Sequence, residues 1–96
     1  MRAVTHDESQ RRYELRDDSA GPVIAFADYR RDGDVWEFHH TVTEPEHRGQ
    51  GLAAEVVRAA LDDVRANGGR VVPTCWYVDG FMRNHVEYAD LRAERD

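Results

Sequence analysis

The sequence predicts an α+β fold: an antiparallel β-meander, then a parallel strand-helix-strand crossover, then a short C-terminal helix. Three observations carry that prediction. Residues 10–43 hold short alternating apolar and polar runs, broken by the turn residues Asp17-Asp18-Ser19-Ala20-Gly21-Pro22 and by Asp32-Gly33. Apolar side chains then recur at helical spacing from Leu52 to Val64. A further apolar run, residues 70–75, follows Asn67-Gly68-Gly69 at the distance a crossover to a parallel neighbour needs. With 96 residues there is room for one core, so residues 1–96 are read as a single domain.

Taken in order, residues 1–9 are polar and unpatterned and read as a lead-in outside the fold. Residues 10–16 read as a half-buried strand, with Tyr13 and Leu15 on one side and Arg12, Glu14 and Arg16 on the other. Residues 23–30 are β-rich and lead to Asp32-Gly33, a strong hairpin signal. Residues 34–43 are the returning strand, with Trp36, Phe38, His40 and Val42 on one face and Val35, Glu37, His39 and Thr41 on the other. A simple two-residue turn pairs Tyr29 with Trp36 and Ala27 with Phe38, but it sets Asp28 against Glu37. That like-charge pair leaves room for a bulge or a shifted register.

Leu52, Ala53, Val56, Val57, Ala60, Leu61 and Val64 form one helix face opposite Glu55, Arg58, Asp62 and Arg65, and Asn67-Gly68-Gly69 ends the helix. Pro73 cannot donate to a ladder and belongs at an edge or a bulge. Val78, Phe81, Met82 and His85 predict a short helix over 77–85, with Tyr88 and Leu91 returning to the core. Residues 92–96 are charged and read as loose.

The net charge is −6, and the 13 basic residues are scattered rather than gathered, which argues against a nucleic-acid partner. No apolar run approaches the roughly 18 residues of a membrane span, so no membrane partner is expected. The N-terminus lacks a signal-peptide core, and the lone Cys75 has no partner for an internal disulfide; both suit the cytoplasm.

The segment between meander and helix is Glu46-His47-Arg48-Gly49-Gln50-Gly51-Leu52-Ala53-Ala54. Two glycines permit a tight turn with no side chain above it, and the helix behind begins with unpaired N–H groups at its positive end. Such a turn suits phosphate. Gly49 to Ala54 formally matches the dinucleotide fingerprint G-x-G-x-x-A, but that motif follows a parallel strand and needs an acidic residue about 20 positions on, where this chain has Thr74-Cys75-Trp76. His39, His40 and His47 do not read as a metal site, because adjacent strand residues point to opposite faces.

The same segment holds Arg48-x-x-Gly51-x-Ala53, with Pro45 ahead of it, His40-Thr41-Val42 leading in and Thr74-Cys75-Trp76-Tyr77 following. On these residues the chain resembles the GNAT superfamily of N-acetyltransferases over about residues 11–91, and in its shortness the small YjdJ-type, NATD-type branch. The resemblance implies a compact GNAT-like fold, acetyl-CoA (coenzyme A) as a thioester cosubstrate, and transfer to an amine acceptor that the sequence does not name. It places pyrophosphate on Arg48, Gly49, Gln50, Gly51, Leu52 and Ala53, and the pantetheine arm beside the backbone of Thr41, Val42 and Thr43.

In this branch a cysteine at the place of Cys75 is the proposed acetyl-carrying nucleophile. Its candidate partner is His39 or His40, of which adjacent strand positions let at most one face the site, and His40 is favoured because it precedes Thr41 as in the family. By residue type alone, a lone cysteine ending an apolar strand is also a small buried filler. Glu37 is a general base if it faces the cleft and a solvated strand residue otherwise. Trp36, Trp76, Tyr77 and Phe81 read as core or cofactor-wall aromatics. The branch lacks the N-terminal helices that usually build the acceptor side, so a non-catalytic coenzyme A-binding module stays open as the alternative. Relatives often carry proline where this chain has Val86, which leaves the path of residues 84–91 open, as is the oligomeric state.

Overall fold

The computed structural model describes residues 2–93. Five strands, β1 (Ala3–Asp7), β2 (Arg12–Arg16), β3 (Ala25–Asp32), β4 (Val35–Thr43) and β5 (Arg70–Pro73), form one sheet in sequence order. Neighbours are antiparallel from β1 to β4, and β5 joins β4 in parallel after the crossover helix α1 (Leu52–Ala66). Helix α2 (Trp76–Asn84) follows, and 3-10 turns occupy Pro45–His47 and Val86–Leu91. The expected meander, crossover and short helix are all present.

The first correction concerns residues 1–9, which are not a bare lead-in, since Ala3–Asp7 forms β1 with Val4 opposite Leu15 and His6 opposite Tyr13. A histidine can fill that inward position because its polar atoms are satisfied. Its ring stacks on Tyr13 with centroids 4.2 Å apart, Nε2 lies 2.6 Å from the Tyr29 hydroxyl, and Nδ1 lies 3.4 Å from the Asp63 carboxylate on α1. The Tyr13 hydroxyl donates to the same carboxylate at 2.6 Å, and burial pushes its pKa up.

Both helices cover one face of the sheet. Leu15, Trp36, Phe38 and Val71 meet Leu61 and Val64 of α1 and Val78 of α2 there, all at 1% exposure or less. Trp36 explains the stop after α1: a Cβ on Gly69 would sit 2.2 Å from its ring, so that position has to be glycine. Among the described residues no helix covers the other face, where Arg12 pairs with Asp28 at 2.9 Å and Arg16 with Glu14 at 3.2 Å.

The register of β3 and β4 is the second correction. The loop is Gly33-Asp34, with Gly33 at φ +63°, and it places Arg30 opposite Glu37, so the like-charge pair is avoided. Tyr29 faces Phe38 but Asp28 faces His40, which leaves His39 as an extra residue, a β-bulge. Beyond it the alternation reverses. Thr41 and Thr43 lie opposite the buried Ala27 and Ala25, on the side of Phe38, while His40 and Val42 turn to the uncovered face with Asp28 and Phe26. The expectation that Trp36, Phe38, His40 and Val42 share a face assumed an unbroken period of two.

Val86, 82% exposed, opens the turn that brings Tyr88 and Leu91 back to the core. Arg65 fastens that turn with bonds of 2.8 and 2.9 Å to the Asp90 carboxylate. Of the end that was read as loose, Arg92 bridges to Val71 and holds Asp79 at 2.9 Å, and residues 94–96 lie outside the described residues.

Candidate active site

The site begins where β4 and β5 part. Their pairing runs from Val35 with Arg70 to Phe38 with Pro73. Pro73 has no N–H to continue the ladder and His39 bulges at the same level, so both strands leave together. The Cys75 N–H makes one last bond, to the Phe38 carbonyl at 2.9 Å, and α2 starts at the next residue. From His39 to Thr43, β4 has β3 on one side and, among the described residues, no strand on the other.

The wedge so opened is a groove of about 530 Å³. His39, His40, Thr41, Val42 and Thr43 line one wall, Thr74, Cys75, Trp76 and Tyr77 the other, and Arg48 and Ala53 reach it from the glycine turn. In that turn Gly49 and Gly51 take φ of +84° and +73°, left-handed conformations that favour glycine, and nothing lies within 4 Å of where a Cβ would stand. Gly51 is the N-cap of α1, so the first N–H groups of a 15-residue helix open there without intrahelical partners.

The residues expected to bind a cofactor therefore divide. Thr41, Val42, Thr43, Arg48 and Ala53 line the groove, whereas Gly49, Gln50 and Gly51 form the exposed turn. Leu52 is 1% exposed, so its side chain anchors the helix start in the core and only its backbone is at the turn.

Cys75 is 8% exposed, and its Sγ lies 3.6 Å from the Thr41 hydroxyl. The bulge brings both His39 and His40 to the groove, where strict alternation would admit one. Neither hydrogen-bonds the thiol among the described residues; Thr41 does, and the reversal of alternation beyond His39 is what aims it there. The like-charge pair of Asp28 and Glu37 in the simple register was the one sequence signal for that reversal. His47 stands apart in the preceding turn, with Nε2 4.0 Å from the Asp17 carboxylate.

Glu37 lies outside the groove lining: its carboxylate accepts the Thr74 hydroxyl at 2.9 Å and faces Arg30 at 3.7 Å. Of the four aromatics, Trp36 and Phe81 are core, Tyr77 is groove wall, and Trp76 is 86% exposed at the groove. Burial pushes the Tyr77 hydroxyl pKa up, so it stays protonated and can donate. Among the described residues no helix is long and apolar enough to cross a membrane.

The model of the GCN5-related N-acetyl-transferase family matches residues 12–91. Protein NATD1 of Bos taurus is 29% identical over 86 residues, which cover 85% of this chain and 73% of that protein. Protein NATD1 of Danio rerio is 27% identical over 90 residues, covering 91% and 81%. Among solved structures, a Staphylococcus aureus protein described as GCN5-like superposes with a TM-score of 0.73 at 19% identity, over 98% of this chain and 90% of that one. The ribosomal-protein-S18-alanine N-acetyltransferase of Escherichia coli gives 0.62 at 15% identity, over 76% of this chain and 49% of the enzyme. At such identities the two structures speak for the fold alone.

Proposed function

The chain belongs to the GCN5-related N-acetyl-transferase family, and from that premise we propose that it binds acetyl-CoA in the β4–β5 groove and transfers the acetyl group to an amine. The supporting observation is a coincidence in one place: a strand edge left open, a glycine turn with nothing over it, and a thiol between them.

Acetyl-CoA would supply an acetyl thioester, which nucleophiles attack readily. The backbone N–H groups from Gly49 to Ala53 and the α1 dipole would hold its pyrophosphate, with the Arg48 guanidinium adding charge at the mouth. The free edge at Thr41, Val42 and Thr43 offers N–H and C=O groups to the amides of the pantetheine arm, in the manner of an added strand.

Cys75 would carry the acetyl group in passage. Its Sγ forms a bond to the acyl carbon as the coenzyme's own carbon–sulfur bond breaks; the two sulfurs are alike, so the exchange is nearly balanced. The Thr41 hydroxyl holds the sulfur, the thiol proton passes to water in the open groove, and Tyr77 donates a proton to the departing thiolate, while His40, on the uncovered side of the sheet, makes no hydrogen bond to the thiol among the described residues. Attack by a neutral amine on acetyl-Cys75 then forms the amide and restores the thiol. This reading takes the chain as a single domain of the cytoplasm, where an unpaired cysteine stays reduced.

One observation favours a second reading, a coenzyme A-binding module without transfer. Strands β1 and β2 are joined by residues 8–11 alone, with the Arg11 N–H on the Glu8 carbonyl at 3.3 Å, so no helix between them narrows the acceptor side. Incubation with acetyl-CoA followed by peptide mapping decides. An acetyl group on Cys75 that is absent in C75A supports the relay; binding without acetylation, and without coenzyme A release over an amine panel, supports the module. Both readings fall if coenzyme A gives no thermal shift, since a ligand at 100 times its Kd adds about 2.7 kcal/mol.

A further inference from the structure

Trp76 is out of place for an aromatic residue. Its ring is 86% exposed, while Tyr13, Tyr29, Trp36, Phe38, Phe81 and Tyr88 are buried. Its ring neighbour is Tyr77, edge-on at 6.0 Å. It nevertheless lines the groove, at the first position of α2 and directly after the thiol proposed to carry the acetyl group. A tryptophan left in water at a binding groove forgoes its burial energy, and a ligand that covers it regains that energy.

We propose that the Trp76 indole is the docking platform for the acceptor, and that it selects an amine carrying a second, cationic group. The inference rests on the transferase reading of the groove. The nitrogen that attacks a thioester must be neutral, so a cation on the ring face has to be another group of the same molecule. The indole face is the strongest side-chain partner for an ammonium ion. A net charge of −6 draws such cations to the protein and disfavours anionic acceptors. With the second charge held on Trp76, the neutral end of a short diamine reaches the adjacent residue, Cys75. Because the ring is solvent-exposed, replacing it leaves the core untouched.

The test is an NMR titration of the two indole N–H signals, assigned with W76F, using 1,4-diaminobutane and n-butylamine as probes in the presence of coenzyme A. The expected result is a saturable shift of the Trp76 signal with the diamine, about fivefold tighter than with the monoamine. In turnover with the same diamine, W76A should raise KM about fivefold and leave kcat unchanged. Equal response to both probes, or saturation by aniline and not by the diamine, overturns the cationic class. A loss of coenzyme A affinity in W76A assigns the ring to the nucleotide and overturns the platform while the transferase reading stands. If wild type shows no thermal shift with coenzyme A, the transferase reading fails, and the indole titration without coenzyme A still decides whether Trp76 binds the diamine.

Discussion

The two halves of β4 belong to one strand and live in different surroundings. Residues 35–38 have β3 on one side and β5 on the other, and Trp36 and Phe38 are each 1% exposed. Residues 39–43 keep β3 alone, and none of them is fully buried. The change takes place at His39 and Pro73, which contribute little to the core. The first half holds the molecule together and the second can be altered without unfolding it, so stability and chemistry should come apart under substitution.

The largest effect expected is at the open half. C75A should abolish acetyl incorporation and lower transfer at least about 100-fold, with coenzyme A affinity unchanged, as read by peptide mapping and by thermal shift. Transfer unchanged in C75A would leave the thiol as wall and require direct attack by the amine. Next comes the paired half. G69A drives a methyl group into Trp36 and should cost about 3 kcal/mol in urea unfolding, with no selective loss of coenzyme A affinity at temperatures where the variant is folded. A loss of binding at unchanged stability would break the separation.

G51V should weaken coenzyme A binding about tenfold and cost about 1 kcal/mol of stability, because φ is +73° there and a side chain would stand over the turn. Smaller again is T41V, which removes the hydroxyl 3.6 Å from Cys75; it should slow acetylation of the thiol a few-fold, about 1 kcal/mol, without altering unfolding. The smallest effect concerns acid. The Arg92 guanidinium beside Asp79, and Arg65 beside Asp90, hold those carboxyls below the usual range. Their stabilisation is present above the unfolded value near 3.8 and is lost as pH falls through the depressed folded value. Urea midpoints should therefore drop below about pH 4, and D79N should show a shallower drop.

Much of this was legible in the residues, for identifiable reasons. Helix α1 announces itself because its buried face repeats at 3.6, strands β2 to β4 by alternation up to the bulge, β5 as an apolar run at the distance of a crossover, and the glycine turn because positive φ favours glycine. Strand β1 did not, since its inward positions are Val4 and His6, and His6 is acceptable there only because Tyr29 and Asp63 arrive from β3 and α1. The contact between Cys75 and Thr41 was hidden by the assumption of unbroken alternation. The groove itself is a relation between two strands, and Pro73 signalled only that one of them must stop.

The extra residue at His39 sets the reading frame of the strand. A single-codon deletion there would close the strand to an unbroken alternation with His40 still opposite Asp28 and Thr41 still opposite Ala27, so Thr41 would stay at the thiol and only the bend would go. A slip that kept His39 and paired it with Asp28 would instead turn Thr41 to the uncovered face and bring Val42 to the thiol, rewriting the wall of the groove without one substitution.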